Sequence, residues 1–138
     1  MKTEKFVVGF METNCYLLVQ ESTKECLIVD PGVQSDKLLD HIKKEQYHPV
    51  AILLTHGHFD HIGGVDYFRK EFEIPVYACE KEQSVLEDSL LNVSAYYGGS
   101  SCVVKNVHYL KDKETIELAG IKIEVITTPG HTCGGCCY

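Results

Sequence analysis

Hydrophobic and polar positions along this chain predict closely spaced strands first and alternating strands and helices afterwards. Lys5 to Phe10, Cys15 to Gln20 and Glu25 to Asp30 are short segments rich in Val, Leu and Ile, separated by turn residues, the pattern of neighbouring strands. Asp30-Pro31-Gly32 closes the third with strong turn chemistry. Ser35 can cap a helix reaching about Gln46, with Leu38, Leu39 and Ile42 on one face. His48-Pro49 then forces extended backbone. The run Pro49-Val50-Ala51-Ile52-Leu53-Leu54 is apolar throughout and reads as a strand buried on both faces. Ile62 to Phe72 suits a helix with Val65, Phe68 and Phe72 inward, Pro75 to Ala78 a short strand, and Glu80 to Leu91 a helix. Tyr96 to Ser101 reads as a loop, and Thr115 to Leu118 with Ile121 to Thr127 as a hairpin turning at Ala119-Gly120. The pattern predicts one domain, residues 1–138, of α/β (α+β) class: a mixed sheet covered by helices on one side.

Composition narrows the partners. A chain of 138 residues can build one core, burying roughly two-thirds of its unfolded surface. No apolar run approaches the roughly 20 residues that cross a bilayer. Met1-Lys2-Thr3-Glu4-Lys5 leads into a β-like stretch without a signal-peptide core, so a cytoplasmic protein is expected. Asp and Glu outnumber Lys and Arg by 20 to 13, a net charge of −7 without a basic stripe. That balance argues against nucleic acid or a membrane surface as partner and leaves a small-molecule substrate. Seven cysteines, an odd count without a secretory address, point to reduced thiols.

The chemistry concentrates in Thr55-His56-Gly57-His58-Phe59-Asp60-His61, directly after the buried strand. Imidazole and carboxylate are the side chains that hold transition metals at neutral pH, and positions just beyond the carboxyl end of a strand are where open α/β sheets bind ligands. Two histidines flanking one glycine can point into one pocket when the loop curls. Gly63-Gly64 lets the backbone turn sharply or approach another segment closely. A solvated polar loop is the plain alternative, but a cluster this dense marks a metal or catalytic site.

These residues match the T-H-x-H-x-D-H signature of the metallo-β-lactamase fold superfamily. Asn14-Cys15-Tyr16-Leu17-Leu18, Ile28-Val29-Asp30-Pro31-Gly32 and Pro129-Gly130-His131-Thr132 agree with it in order and spacing. Within the superfamily the chain is most similar to small glyoxalase II-like hydrolases, relatives of hydroxyacylglutathione hydrolase. The resemblance implies the N-terminal half of an αββα sandwich. It also implies a first metal on His56, His58 and His131, a second on Asp60 and His61, and Asp30 as an acid that orders the site. Zinc, one or two ions, is the implied cofactor, with iron or manganese as alternatives. Three histidines leave a zinc position open for water, whose pKa a dication lowers toward ~7, so that a metal-bound hydroxide attacks the substrate. Asp60 is the implied catalytic residue, orienting that nucleophile and taking up its proton. A thioester such as a hydroxyacylglutathione-like compound is the implied substrate, since a leaving thiolate needs little acid assistance.

The family pattern continues with a further strand–helix half that carries a metal-bridging aspartate and a final histidine, and this sequence holds no candidate for either. A fragment, a pair of chains completing each other and an inactive metal-binding remnant all fit. A fragment is favoured, because an uncovered apolar face is costly, and self-association through that uncovered sheet is the expected consequence. An iron-dependent persulfide dioxygenase-like enzyme is the alternative activity. The Cys133 to Cys136 spacing lacks the strand-to-helix setting of a redox motif. Cys15, Cys26 and Cys79 read as core residues, His41 as solvent-facing, and Gly9 and Gly98-Gly99 as turns or bulges.

Overall fold

A computed structural model of the protein describes residues 1–97 and 101–138. Three strands open the chain: β1 (Lys2–Val8), β2 (Thr13–Val19) and β3 (Glu25–Val29). Helix α1 (Asp36–Lys44) follows, then β4 (His48–Leu53), α2 (Phe59–Ile62), α3 (Val65–Phe72), β5 (Val76–Cys79) and α4 (Gln83–Glu87). Beyond these lie β6 (His108–Leu110), β7 (Thr115–Leu118), β8 (Ile121–Glu124), β9 (Ile126–Thr127) and β10 (Cys136–Cys137).

The first six strands form one sheet in chain order, antiparallel from β1 to β3 and parallel from β3 to β6. This is the expected mixed sheet. Alternation along each strand sends side chains to opposite faces. Leu17, Ile28 and Ile52 therefore pack with Leu38, Ile42 and Phe68 from the helices, while Leu27, Val29, Ala51 and Leu53 face the other way. The β7–β8 hairpin supplies Ile123 and Ala119 to that second face, so the layer expected to be uncovered carries a hairpin instead of helices.

Agreements with and differences from the sequence expectation have identifiable physical causes. Ser35 caps α1 through its side chain, which accepts from the Leu38 amide at 3.2 Å. The helix expected from Ile62 to Phe72 is two helices, because Gly63 and Gly64 interrupt it where the chain packs on the Pro31-Gly32-Val33 backbone. A Cβ on Gly63 would meet the Gly32 carbonyl oxygen, and one on Gly64 the carbonyl oxygens of Val33 and Pro31. The helix expected from Glu80 to Leu91 shortens to a 3₁₀ turn over Glu80–Glu82 and α4, since Asp88 takes extended backbone and caps the following turn at the Leu90 amide. Strand β6 lacks a clear hydrophobic pattern and was not expected. The second hairpin strand ends at Glu124, and Ile126–Thr127 pairs with β10 instead. Gly98-Gly99 and part of the Tyr96–Ser101 loop lie outside the described residues, and Ser94–Tyr96 forms a 3₁₀ turn. Cys15, Cys26 and Cys79 are buried, as expected. His41 is half-buried rather than solvent-facing, with Nε2 2.7 Å from a Glu4 carboxylate oxygen. Among the described residues no helix is long and apolar enough to cross a membrane.

Candidate metal centre

Two chain segments meet at the carboxyl end of β4. The first runs from Thr55 through α2 and carries His56, His58, Asp60 and His61; the second, between β9 and β10, carries His131. Two hydrogen bonds join β10 and the residue after it to the end of β4: the Cys136 amide donates to the Thr55 carbonyl at 2.9 Å, and the Tyr138 hydroxyl to the Leu54 carbonyl at 2.9 Å.

His56, His58 and His131 each offer one ring nitrogen, and these nitrogens all lie within 4.8 Å of one another. His58 Nδ1 and His131 Nε2 are 3.0 Å apart. That distance suits a hydrogen bond between two neutral rings, and the gathering of all three ring nitrogens around one point also suits a shared cation. Burial, followed by the neighbouring His61, His58 and His131 rings, pushes His56 down to about 3. Burial and His131 likewise lower His58. Both rings are thus held neutral, the form that donates a lone pair to a metal. The donor set fits a transition metal.

Asp60 and His61 stand beside this group. The His61 and His56 ring centroids are 4.0 Å apart, and His61 Nε2 lies 3.5 Å from Asp60 Oδ2. Thr13 Oγ1 donates to the same Asp60 oxygen at 2.7 Å. Asp30, only 3% exposed, accepts from the Thr55 amide at 2.8 Å and the Thr55 hydroxyl at 2.5 Å, and lies 2.9 Å from His61 Nδ1. Burial lowers the His61 pKa, but the hydrogen bond to Asp30 and the charges of Asp30 and Asp60 outweigh it and raise the net value. Fixing Nδ1 on Asp30 leaves Nε2 turned toward Asp60, the orienting role that a carboxylate plays for a site histidine. Asp30 reaches this position from a left-handed backbone (φ 51°), which aspartate tolerates better than most residues.

All six residues singled out from the sequence therefore gather in one place. Sequence reasoning missed Thr13, whose hydroxyl is unremarkable at a strand start, and Glu82. The latter is 1% exposed and hydrogen-bonds both histidine-bearing segments. Its only sequence signal is an acid in a helical stretch whose neighbours Val85 and Leu86 face the core.

Two cavities flank the cluster. One of about 520 Å³ reaches Asp60 and Thr13 and is walled by Phe10, Phe59 and Tyr97. Phe59 and Tyr97 stack at 4.6 Å between centroids. Among its described lining residues none is Lys, Arg or His. A smaller one, about 160 Å³, lies against His56 and His131.

Fold and site together define a metallo-β-lactamase-type domain. Residues 8–138 match the Metallo-beta-lactamase superfamily, and the chain belongs to it. It is 37% identical over 139 residues to the probable metallo-hydrolase YqgX of Bacillus subtilis (strain 168), covering 100% of this chain and 65% of that relative. The crystal structure of the BLEG-1 B3 metallo-beta-lactamase superposes with a TM-score of 0.89 at 39% identity, over 98% of this chain and 65% of that one. The structure of TTHA1623 in a di-iron-bound form gives 0.78 at 27% identity, over 96% and 64%. The chain thus spans just under two thirds of the length of these relatives.

Proposed function

We propose that this chain carries the metal-binding part of a metal-dependent hydrolase that cleaves a thioester with an apolar acyl group. The observation that carries the reading is the convergence of His56, His58 and His131 on one point. These three would hold the metal, and Asp60 with His61 stands where a second would sit. When bound, the metal supplies a Lewis acid that acidifies water and polarises a carbonyl.

The chain's own residues supply the rest. Thr13 holds Asp60 Oδ2, which leaves Oδ1 to orient the attacking water and accept its proton. Asp30 keeps His61 Nδ1 occupied and so fixes which nitrogen the ring presents. No side chain is needed to protonate a leaving thiolate, and that favours a thioester. The Phe10, Phe59 and Tyr97 wall beside Asp60 suits an apolar acyl group. A glutathione-like leaving group carries carboxylates, and among the described lining residues of that cavity none is a cation to pair with them, which supports the apolar acyl thioester.

Metal identity is a choice between zinc and iron, since imidazole accepts both and one similar structure holds two irons. Elemental analysis of the purified protein, combined with assay of chromogenic acyl thioesters, tests the reading. Zinc content with thioester hydrolysis, both lost in His58→Ala, is the expected result. Iron content with oxygen uptake on a persulfide would replace it with the dioxygenase reading. Zinc bound without turnover of any thioester would leave a metal-binding remnant.

A further inference from the structure

Glu82 lies at the junction of the two segments that carry the histidines, and among the described residues its side-chain hydrogen-bond partners are Gly57, Thr132 and Gly134 rather than a histidine ring. It is one of the few buried charged residues in the protein. Its Oε1 accepts from the amide of Gly57, the residue between His56 and His58, at 2.7 Å. Its Oε2 accepts from the Thr132 hydroxyl at 2.9 Å and the Gly134 amide at 2.8 Å, on either side of the loop that follows His131. Burying a carboxylate is unfavourable unless both oxygens are satisfied, and here both are satisfied by partners from these two loops.

The surroundings make the tie specific. A Cβ at Gly134 would collide with the Glu82 backbone amide, so that loop can close on Glu82 only as glycine. A Cβ at Gly57 would lie 3.0 Å from Val85 and 3.1 Å from Leu86, so the other loop is pressed onto α4, which directly follows Glu82. The His56–His58 segment and the His131 segment are separated by more than seventy residues along the chain (73 between His58 and His131), and besides the Cys136–Thr55 backbone bond they are tied together through this buried side chain.

We infer that Glu82 is a positioning residue of the metal centre: by bracing the Gly57 and Thr132–Gly134 backbones it sets the spacing between His131 and the His56–His58 pair. The inference rests on the three-histidine metal site proposed above. Glutamine has nearly the same shape but offers an acceptor at one oxygen only. Its NH₂ group must face either the Gly57 amide or the Thr132 and Gly134 donors, which pushes one loop away.

Zinc affinity measured by chelator competition, with the absorption spectrum of the cobalt(II)-substituted protein, tests this on the full chain. Glu82→Gln should weaken zinc binding by about 10–100-fold, the scale on which residues supporting metal ligands act, and should alter the cobalt spectrum. Thr132→Val removes one of the three donors while leaving the carboxylate in place. It should weaken binding in the same direction by less, and it decides the question if Glu82→Gln does not fold. A folded Glu82→Gln protein, or a folded Thr132→Val protein where the first is lost, that holds zinc as tightly as wild type with an unchanged cobalt spectrum overturns the inference. That result would leave the metal site standing. Absence of zinc binding by the wild-type protein would instead remove the metal site, and the role of Glu82 with it.

Discussion

At the scale of single residues, the two aspartates of the candidate site stand in different surroundings. Asp30 is consumed by hydrogen bonds from Thr55 and its contact with His61, whereas Asp60 is half-open and tied through one oxygen to Thr13. Asp60→Asn should therefore keep the three-histidine metal and lower kcat by about 100-fold or more, because the amide cannot take up a proton. Loss of zinc from the three-histidine site together with activity would show that Asp60 shapes the site rather than serves the reaction. The cysteines divide as sharply. Burial pushes the Cys15 and Cys26 thiols up to about 12 and the Cys136 thiol up to about 11. Cys133 and Cys137 are exposed. A raised thiol pKa means little thiolate, the reactive form, below that pKa. At pH 9 iodoacetamide should label Cys133 and Cys137 quickly and Cys15 and Cys26 only after unfolding. Intact mass and peptide mapping would show this, and equally fast labelling of Cys26 would contradict the packing described for it.

At the scale of elements, the site depends on how closely two turns approach. The Asp30-Pro31-Gly32 turn and the α2–α3 junction share backbone contacts, including a 2.6 Å hydrogen bond from the Gly64 amide to the Pro31 carbonyl. Gly64→Ala places a methyl group against the Pro31 and Val33 carbonyl oxygens and should cost about 1–3 kcal/mol, read from the urea midpoint. An unchanged midpoint would mean that the turns are free to separate. This junction also shows what the sequence makes legible. The apolar run of β4 and the histidine spacing after it are local, so the strand and the cluster could be read directly. Ser35 announced α1 by a local hydrogen bond. The early end of α4 is a local Asp88 turn that the apolar pattern alone does not reveal, whereas the break at Gly63-Gly64 and strand β6 are set by contacts with distant segments, which no local window contains. Glu82 escaped notice for the latter reason: its partners are Gly57, Thr132 and Gly134, all at least 25 positions away.

At the scale of the whole molecule, the candidate centre stitches the middle of the main sheet to the last strands of the chain. His56 and His58 follow β4 in the middle of the six-stranded sheet, while His131 belongs to the small β9–β10 unit that pairs back onto Thr55. In an unfolded chain His131 is far from the neighbouring His56 and His58, so a metal that needs all three binds the folded form almost alone. Such a ligand stabilises folding by mass action, by about 2.7 kcal/mol when its free concentration is 100 times its dissociation constant. Zinc should accordingly raise the thermal midpoint of the apo protein, and a strong chelator should reverse the rise. His58→Ala should remove most of the effect, because two imidazoles retain the metal poorly. Amide hydrogen exchange adds a spatial criterion: protection on zinc addition should grow at Thr128–Gly135 and Thr55–His61 together, not at one alone. If zinc stabilised wild type and His58→Ala equally, or protected only the His56–His61 loop, the two segments would not share one ion.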